Sequence, residues 1–391
     1  MTTYDFSTCP NRKGQHSLKW RSSEVDNDLL QLWVADMDFQ PFPELRAALR
    51  DYADQHVFGY TYASEGVYQA ILDWEKNQHG YLIDKDAILL IEGVVPAVSV
   101  AIQALTAIGD AVMIHTPAYP PFARTISLNQ RRLICQSLKE EQGLFTIDFQ
   151  AFEATIVAKD VKLYLFCNPH NPGGRVWSKE EIAELGRICQ RHGVLVVSDE
   201  IHQDLTLYGH RHHSFNTVDP SFKDFSMVLS SASKTFNIAG TKNSFALIED
   251  AGIRKRFERR QLANNQHEIA TVGLLATEVA FTKGQEWLIA LRQVIEENCN
   301  FVTSYLTQHT RITVMKPQAT YLMWLDFSAY ELEHVQLQSL LREKAKLVLN
   351  DGLTFGKEGL HHARLNLATP LSVLAEACER LAAVLQDLEK D

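Results

Sequence analysis

Lys234 follows the apolar run Met227-Val228-Leu229 within Ser231-Ala232-Ser233-Lys234-Thr235-Phe236-Asn237. An amine leaving a buried strand between small hydroxyl residues is placed to be held and partly desolvated, as a lysine acting as nucleophile and base must be. Other chemically capable residues also stand directly behind apolar runs. Asp199 closes Val194-Leu195-Val196-Val197-Ser198, and a carboxylate at a buried strand end needs a cationic or proton-donating partner. Asn171 lies in Cys167-Asn168-Pro169-His170-Asn171-Pro172-Gly173-Gly174-Arg175, where the proline after it restricts it to extended geometry and fixes the direction of its amide. Tyr119 is framed by Pro117, Pro120 and Pro121, which would hold its ring to stack on a planar group. Gly93-Val94-Val95-Pro96 follows Ala87–Ile91; its proline suits a first helical turn, so the preceding amides would cradle an anion.

Taken singly, these features have plain structural readings. Gly93–Pro96 also fits an ordinary strand-to-helix turn, Tyr119 fits loop packing, and a cluster of Asn, Pro and Gly is turn chemistry. Their common position carries more. In an open parallel sheet, ligands bind at the carboxyl ends of the strands. A carboxylate, an amide, an aromatic face, an anion cradle and a lysine at one rim match the ring nitrogen, ring oxygen, ring face, phosphate and aldehyde of pyridoxal phosphate. That cofactor is the one expected.

The elements that must position these residues are legible as pattern. Short apolar runs at Ala87–Ile91, Ala111–His115, Lys162–Phe166, Val194–Ser198, Met227–Ser231 and Ser244–Ile248 alternate with helical segments. This is the pattern of an α/β fold with a mainly parallel, seven-stranded-type sheet sandwiched by helices. Helices are expected at Leu45–Asp51, Val67–Gln78 and Ser178–His192. In the last, Ser178 and Glu181 form a capping box and Gly193 supplies the stop. After residue 285 the character changes: a helix from Gln285 past Tyr305, strands at Ile312–Met315 and Tyr321–Phe327, a helix over His334–Lys344, a strand at Ala363–Leu367 and a final helix from Leu371. The expected organisation is a large cofactor-binding domain over 46–285 and a smaller α+β domain over 286–391, with residues 1–45 packing beside the small domain.

Composition narrows the partners. The chain has 391 residues, 46% hydrophobic and 22% charged, with a formal net charge of -10. That balance argues against nucleic acid or an anionic membrane surface as partner. Arg254-Lys255-Arg256 with Arg259-Arg260 reads as a solvated helix face. No apolar run is long enough to span a bilayer, and Met1–Phe6 lacks the layout of a secretion signal. The six cysteines show no C-x-x-C spacing, which suits reduced thiols and a cytoplasmic location. His210, His212 and His213 cluster without regular ligand spacing, so no metal site is expected.

The ordered set Asn-Pro-His-Asn-Pro, Ser-Asp-Glu-Ile-His and Ser-x-Ser-Lys resembles the class I/II aminotransferase superfamily, pyridoxal-phosphate fold type I. Further stretches resemble its MalY/PatB branch, the cystathionine β-lyase, C–S lyase and cysteine desulfhydrase proteins. These are Lys19-Trp20, Trp33-Val34-Ala35-Asp36-Met37-Asp38-Phe39, Gly59-Tyr60-Thr61, Gly93–Pro96 and Ser233–Asn237. The resemblance runs from about residue 4 to 385. It implies that Lys234 carries the cofactor, Asp199 pairs with the ring nitrogen, Asn171 bonds the ring oxygen and Tyr119 stacks on the ring. Gly93 and the amides of Val94 and Val95, with the hydroxyls of Ser231 and Ser233, would hold the phosphate. Arg364 would grip the substrate carboxylate as a bidentate fork, with Ala35, Asp36, Tyr119 and Asn171 beside it. Tyr60 would reach the phosphate in a neighbouring subunit, implying a homodimer, although Tyr62 competes for that role.

Departures from the wider superfamily accompany the match. Lys242 stands where arginine is common, eight residues after Lys234, which leaves its phosphate role open. His202 replaces a tyrosine near the ring oxygen. Gly173 replaces a threonine, a change expected to be neutral. The implied reaction is α,β-elimination from an L-amino acid with sulfur at Cβ, with Lys234 as the base at Cα. L-cysteine would yield hydrogen sulfide and cystathionine would yield homocysteine, each with pyruvate and ammonia. An aminotransferase would use the same residues, and an additional regulatory protein-interaction role beside catalysis also fits the branch.

Overall fold

The computed structural model describes residues 4–24 and 26–388. The apolar runs form one seven-stranded sheet of β1 (Ile88–Ile91), β2 (Ala111–Thr116), β3 (Arg132–Ser137), β4 (Val161–Cys167), β5 (Leu195–Asp199), β6 (Ser226–Ser230) and β7 (Ser244–Leu247). Their spatial order is β1-β7-β6-β5-β4-β2-β3. All neighbours are parallel except β7, which runs antiparallel to both β1 and β6. Strand β3 is absent from the expected runs for a physical reason. It lies at the sheet edge, and Arg132 on one side and Gln136-Ser137 on the other cut its apolar run to the triplet Leu133-Ile134-Cys135.

Helices α1 (Pro43–Gln55), α2 (Glu65–Trp74), α3 (Val94–Leu105), α4 (Pro120–Leu128), α5 (Phe149–Lys159) and α6 (Lys179–Arg191) precede a one-turn helix, α7 (Ala232–Thr235). They are followed by α8 (Ala251–Ala263), α9 (Thr271–Lys283), α10 (Gln285–His309) and α11 (Leu371–Leu388). Period-two alternation in β4 sends Leu163 and Leu165 to a core shared with α3, α4 and α8. Tyr164 and Phe166 face the opposite core, shared with α5 and α6. Both faces of the sheet are therefore covered, as continuous apolar strands require. The capping box of α6 is formed, with Glu181 N donating to Ser178 Oγ at 3.2 Å and Ser178 N to Glu181 Oε2 at 2.7 Å. The helix expected to reach Gln78 is α-helical only to Trp74, then widens into a π-helical turn over Glu75–His79. That turn carries Glu75 and His79 into the interior.

A second, antiparallel sheet holds β8 (Thr313–Met315), β9 (Leu322–Asp326), β10 (Asn350–Asp351) and β11 (His362–Asn366), in the order β8-β9-β11-β10. The chain before α1 packs on this part. Leu30–Gln31 pairs in parallel with Leu347–Val348, Asn366 N donates to Leu32 O at 2.9 Å, and Asp38 N donates to Ala368 O at 2.8 Å. Among the described residues, no helix is long and apolar enough to cross a membrane.

Candidate active site

The strand ends deliver their polar residues to one cavity of about 180 Å³. Its wall includes Gly93, Val94 and Val95 after β1, Tyr119 after β2, and Cys167 and Asn171 after β4. Asp199 and His202 come from the end of β5, Ser233 and Lys234 from α7, and Ala35 from the segment before α1. Lys242 and Ser244 enter from the start of β7, whose antiparallel run brings its amino end to the same rim.

Each group is electrostatically prepared. The first bond within α3 is Ala97 N to Gly93 O at 3.0 Å, so the Val94 and Val95 amides stand before it and Pro96 has no amide. A helix N-terminus of this kind favours an anion. Asp199 is buried and accepts from Ile201 N at 3.1 Å; burial, with Glu200 adding to it, pushes its carboxyl up to about 7. Lys234 Nζ donates to Ala35 O at 2.7 Å. Burial and then Arg364 bring this amine down to about 8, against the pull of Asp36 and Asp199. Burial lowers His202 to about 3, with Lys234 and Arg364 acting the same way. His202 Nδ1 is buried without a hydrogen-bond partner.

Arg364 is not on the cavity wall itself but directly behind it. Its Nη1 donates to Asn171 Oδ1 at 2.9 Å, and its Nη2 donates to Trp33 O at 3.1 Å and Asn350 Oδ1 at 2.5 Å. The guanidinium carbon lies 4.9 Å from the centre of the Phe355 ring. Nε is buried without a partner. Asn350 was not anticipated, because it lies in the two-residue strand β10, too short to leave a pattern. Tyr321, whose hydroxyl donates to Ala35 O at 3.0 Å, carries no sequence signal beyond its place in a strand.

Other expected site residues are placed differently. The Ser231 hydroxyl donates to Asn243 O at 2.7 Å and accepts from Ser233 N at 3.0 Å. It is therefore spent on capping α7 and does not line the cavity. Asp36 is held in a fork with Arg12, at 2.9 and 2.7 Å, with the buried Lys19 amine 3.8 Å away. Its carboxylate is thus engaged by these two cations. Tyr60 is fully exposed and borders a neighbouring pocket with Glu92 and Lys242. Gly173 is not neutral to threonine: a Cβ there would come within 2.4 Å of the Phe145 ring. His212 donates or accepts at 2.9 Å with buried Glu200, so it braces the strand end beside Asp199.

The residues present fit pyridoxal phosphate. The buried Asp199 carboxyl calls for a cationic partner such as a protonated ring nitrogen, the helix amides call for an anion, and burial with Arg364 lowers the Lys234 amine toward the neutral form. A seven-stranded sheet with a lysine, a buried acid and a helix N-terminus at its rim defines a class, and the chain belongs to the aminotransferase class I and II family, whose model matches residues 27–381. Among curated proteins, cystathionine beta-lyase PatB of Bacillus subtilis is 39% identical over 97% of this chain and 100% of its own length. Protein MalY of Escherichia coli is 31% identical over 95% of this chain and 96% of its own. Among solved structures, cystalysin from Treponema denticola, which contains a pyridoxal 5'-phosphate cofactor, superposes with a TM-score of 0.96 at 37% identity. That match covers 99% of this chain and 100% of cystalysin.

Proposed function

We infer that the chain is a pyridoxal-phosphate-dependent carbon–sulfur β-lyase, acting by α,β-elimination on L-cystathionine, L-cysteine and related S-substituted cysteines. The observation that carries this reading is the convergence of Lys234, Asp199, Asn171 and the α3 amides on one cavity, in a chain akin over its whole length to cystathionine β-lyases. When bound, the cofactor supplies an electron sink for the carbanion formed at the substrate Cα.

The roles of the chain's own groups follow from their surroundings. Lys234 would hold the cofactor and would serve as the base that takes the substrate Cα proton; an amine with a lowered pKa is suited to this. Asp199 would hold a proton at the ring nitrogen, Asn171 would donate to the ring oxygen, and Tyr119 would cover the ring. Val94, Val95 and Ser233 would hold the phosphate, with Lys242 at the same wall. His202 presents its ring beside the lysine as a neutral group. Arg364 offers its unpaired Nε and a shared Nη to the substrate carboxylate. The large and small sheets fall within 46–285 and 286–391, which supports the expected two-domain division with 1–45 packed beside the small domain.

The same reading makes the active unit a homodimer. Val57, Phe58, Tyr60 and Tyr62 are 85, 65, 100 and 89% exposed, an apolar and aromatic run suited to burial against a second copy. Tyr60 would then reach the neighbouring cofactor phosphate. The deciding experiment incubates the chain and pyridoxal phosphate with L-cystathionine, L-cysteine, cystine or S-alkyl cysteines without an oxo-acid acceptor. Stoichiometric thiol or sulfide with pyruvate supports the lyase; strict dependence on an acceptor would establish an aminotransferase instead.

A further inference from the structure

Residues 33–39 form a strap whose carbonyls are taken by side chains from distant parts of the chain. Arg364 binds Trp33 O at 3.1 Å, and Asn366 Nδ2 binds Val34 O and Asp36 O at 2.7 Å each. Asn237 Nδ2 binds Met37 O and Phe39 O at 2.9 and 3.0 Å. Between these ties, Ala35 O takes two donors at once, Lys234 Nζ at 2.7 Å and the Tyr321 hydroxyl at 3.0 Å. Tyr321 is 1% exposed, so its hydroxyl cannot turn to bulk water.

A carbonyl oxygen has two lone pairs, so both donors fit, but they draw on the same partial charge. The ammonium gains more from that oxygen than the neutral amine does. A carbonyl given wholly to Lys234 would therefore hold the amine protonated and parked on the strap. A carbonyl shared with a second donor holds it less firmly. We propose that Tyr321 is a positioning residue for Lys234: by occupying part of the Ala35 carbonyl, its hydroxyl frees the amine to leave the strap and work as a base at the substrate. This rests on the assignment of Lys234 as the lyase base. The other charged and titratable groups around the pair are Arg364, Asp36, Asp199 and His202 at Lys234, and Asp36, Arg364 and Tyr119 at Tyr321. None of them touches Ala35 O.

Tyr321→Phe keeps the ring and removes only the hydroxyl. The first measurement is the rate at which the full chain, freed of cofactor, captures pyridoxal phosphate as pH is varied, followed by absorbance. The midpoint for the free Lys234 amine is expected to move up by roughly 0.3 pH unit in Tyr321→Phe, the fraction of one hydrogen bond that a shared acceptor transmits. In the loaded enzyme, kcat for L-cysteine is expected to fall about twofold with KM unchanged. Installing 3-fluorotyrosine at 321, a stronger donor of nearly the same shape, should move the midpoint down. A midpoint unmoved or lowered by Tyr321→Phe, or a rise in KM with kcat intact, overturns the proposal. A wild-type chain that captures cofactor and turns over while the variants leave the midpoint in place defeats this inference alone. A wild-type chain that does neither defeats the lyase reading beneath it.

Discussion

Arg364 on β11 donates through Nη1 to the side-chain oxygen of Asn171 at 2.9 Å, across 193 positions of sequence. The bond joins the two sheets and also settles which way the Asn171 amide faces. With Oδ1 turned to the guanidinium, Nδ2 is the atom left for the cavity, and it can only donate. The residue proposed to grip the substrate carboxylate would thus also orient the residue proposed to bind the ring oxygen.

Two substitutions at Asn171 should separate these jobs. Asn171→Asp removes the donor to the cofactor but keeps an acceptor for Arg364, so cofactor affinity falls by roughly 10–100-fold while the cofactor-free chain keeps its stability. Asn171→Ala loses the same affinity and also leaves Arg364 Nη1 buried without its partner, costing about 1–3 kcal/mol. Cofactor titration and urea unfolding of the cofactor-free chains measure the two effects.

Asp199 gives a signed pH dependence. Its carboxyl is raised to about 7 by burial in the cofactor-free chain, above the value near 4 of an unfolded chain. The fold therefore binds this proton more tightly, and the associated stability is present below about pH 4 and lost as pH rises through 7. Asp199→Asn carries no such proton. The stability of Asp199→Asn relative to wild type, measured by unfolding without cofactor, should increase from pH 4 to pH 7; a flat or falling difference contradicts the assignment. Turnover in the variant should be lost by orders of magnitude.

Behind the reactive lysine, Asp204 accepts from the Thr235 hydroxyl at 2.7 Å, Trp74 Nε1 at 3.0 Å and His79 Nε2 at 2.7 Å. Burial pushes this carboxyl up, but His79, Thr235 and Trp74 outweigh it and hold it below its ordinary value. Asp204→Ala strands three buried donors, one of them beside Lys234, and should destabilise the chain by about 3–5 kcal/mol. Asp204→Asn should lose less. Equal midpoints in urea for wild type and Asp204→Ala would refute this.

The proposal that Tyr60 completes the neighbouring subunit's site makes a prediction about mixed subunits. Tyr60→Ala and Lys234→Ala should each be severely impaired alone. In a mixed dimer, the site with Lys234 from the first variant meets Tyr60 from the second, so one intact site forms. Co-unfolding and refolding the two chains with cofactor should restore activity well above either parent. No recovery, with dimers shown to have mixed, would place Tyr60 outside the neighbouring site.

How much of this was open to inspection in the chain itself follows from distance along it. Lys234, Asp199, Asn171 and Tyr119 each stand just behind an apolar run, and local periodicity exposes such positions. The capping box at Ser178 and Glu181 is local too, and it formed as read. Edge strand β3 escaped because its exposed side chains carry no apolar signature, and β10 escaped because two residues show no period.

The tertiary structure decided everything that depends on which side chains share an acceptor. Local sequence distinguishes neither the Ser231 hydroxyl from that of Ser233 nor the Asp36 carboxylate from one free to bind a ligand. Folding does: Asn243 O claims Ser231, Arg12 claims Asp36, and Ala35 O is shared by Lys234 and Tyr321. The sequence by itself determined the types of group that reach the rim, because burial patterns repeat every two or four residues. Which of those groups remain unspent was decided by hydrogen bonds between segments up to 332 positions apart, formed only when the two sheets and the strap close on one another.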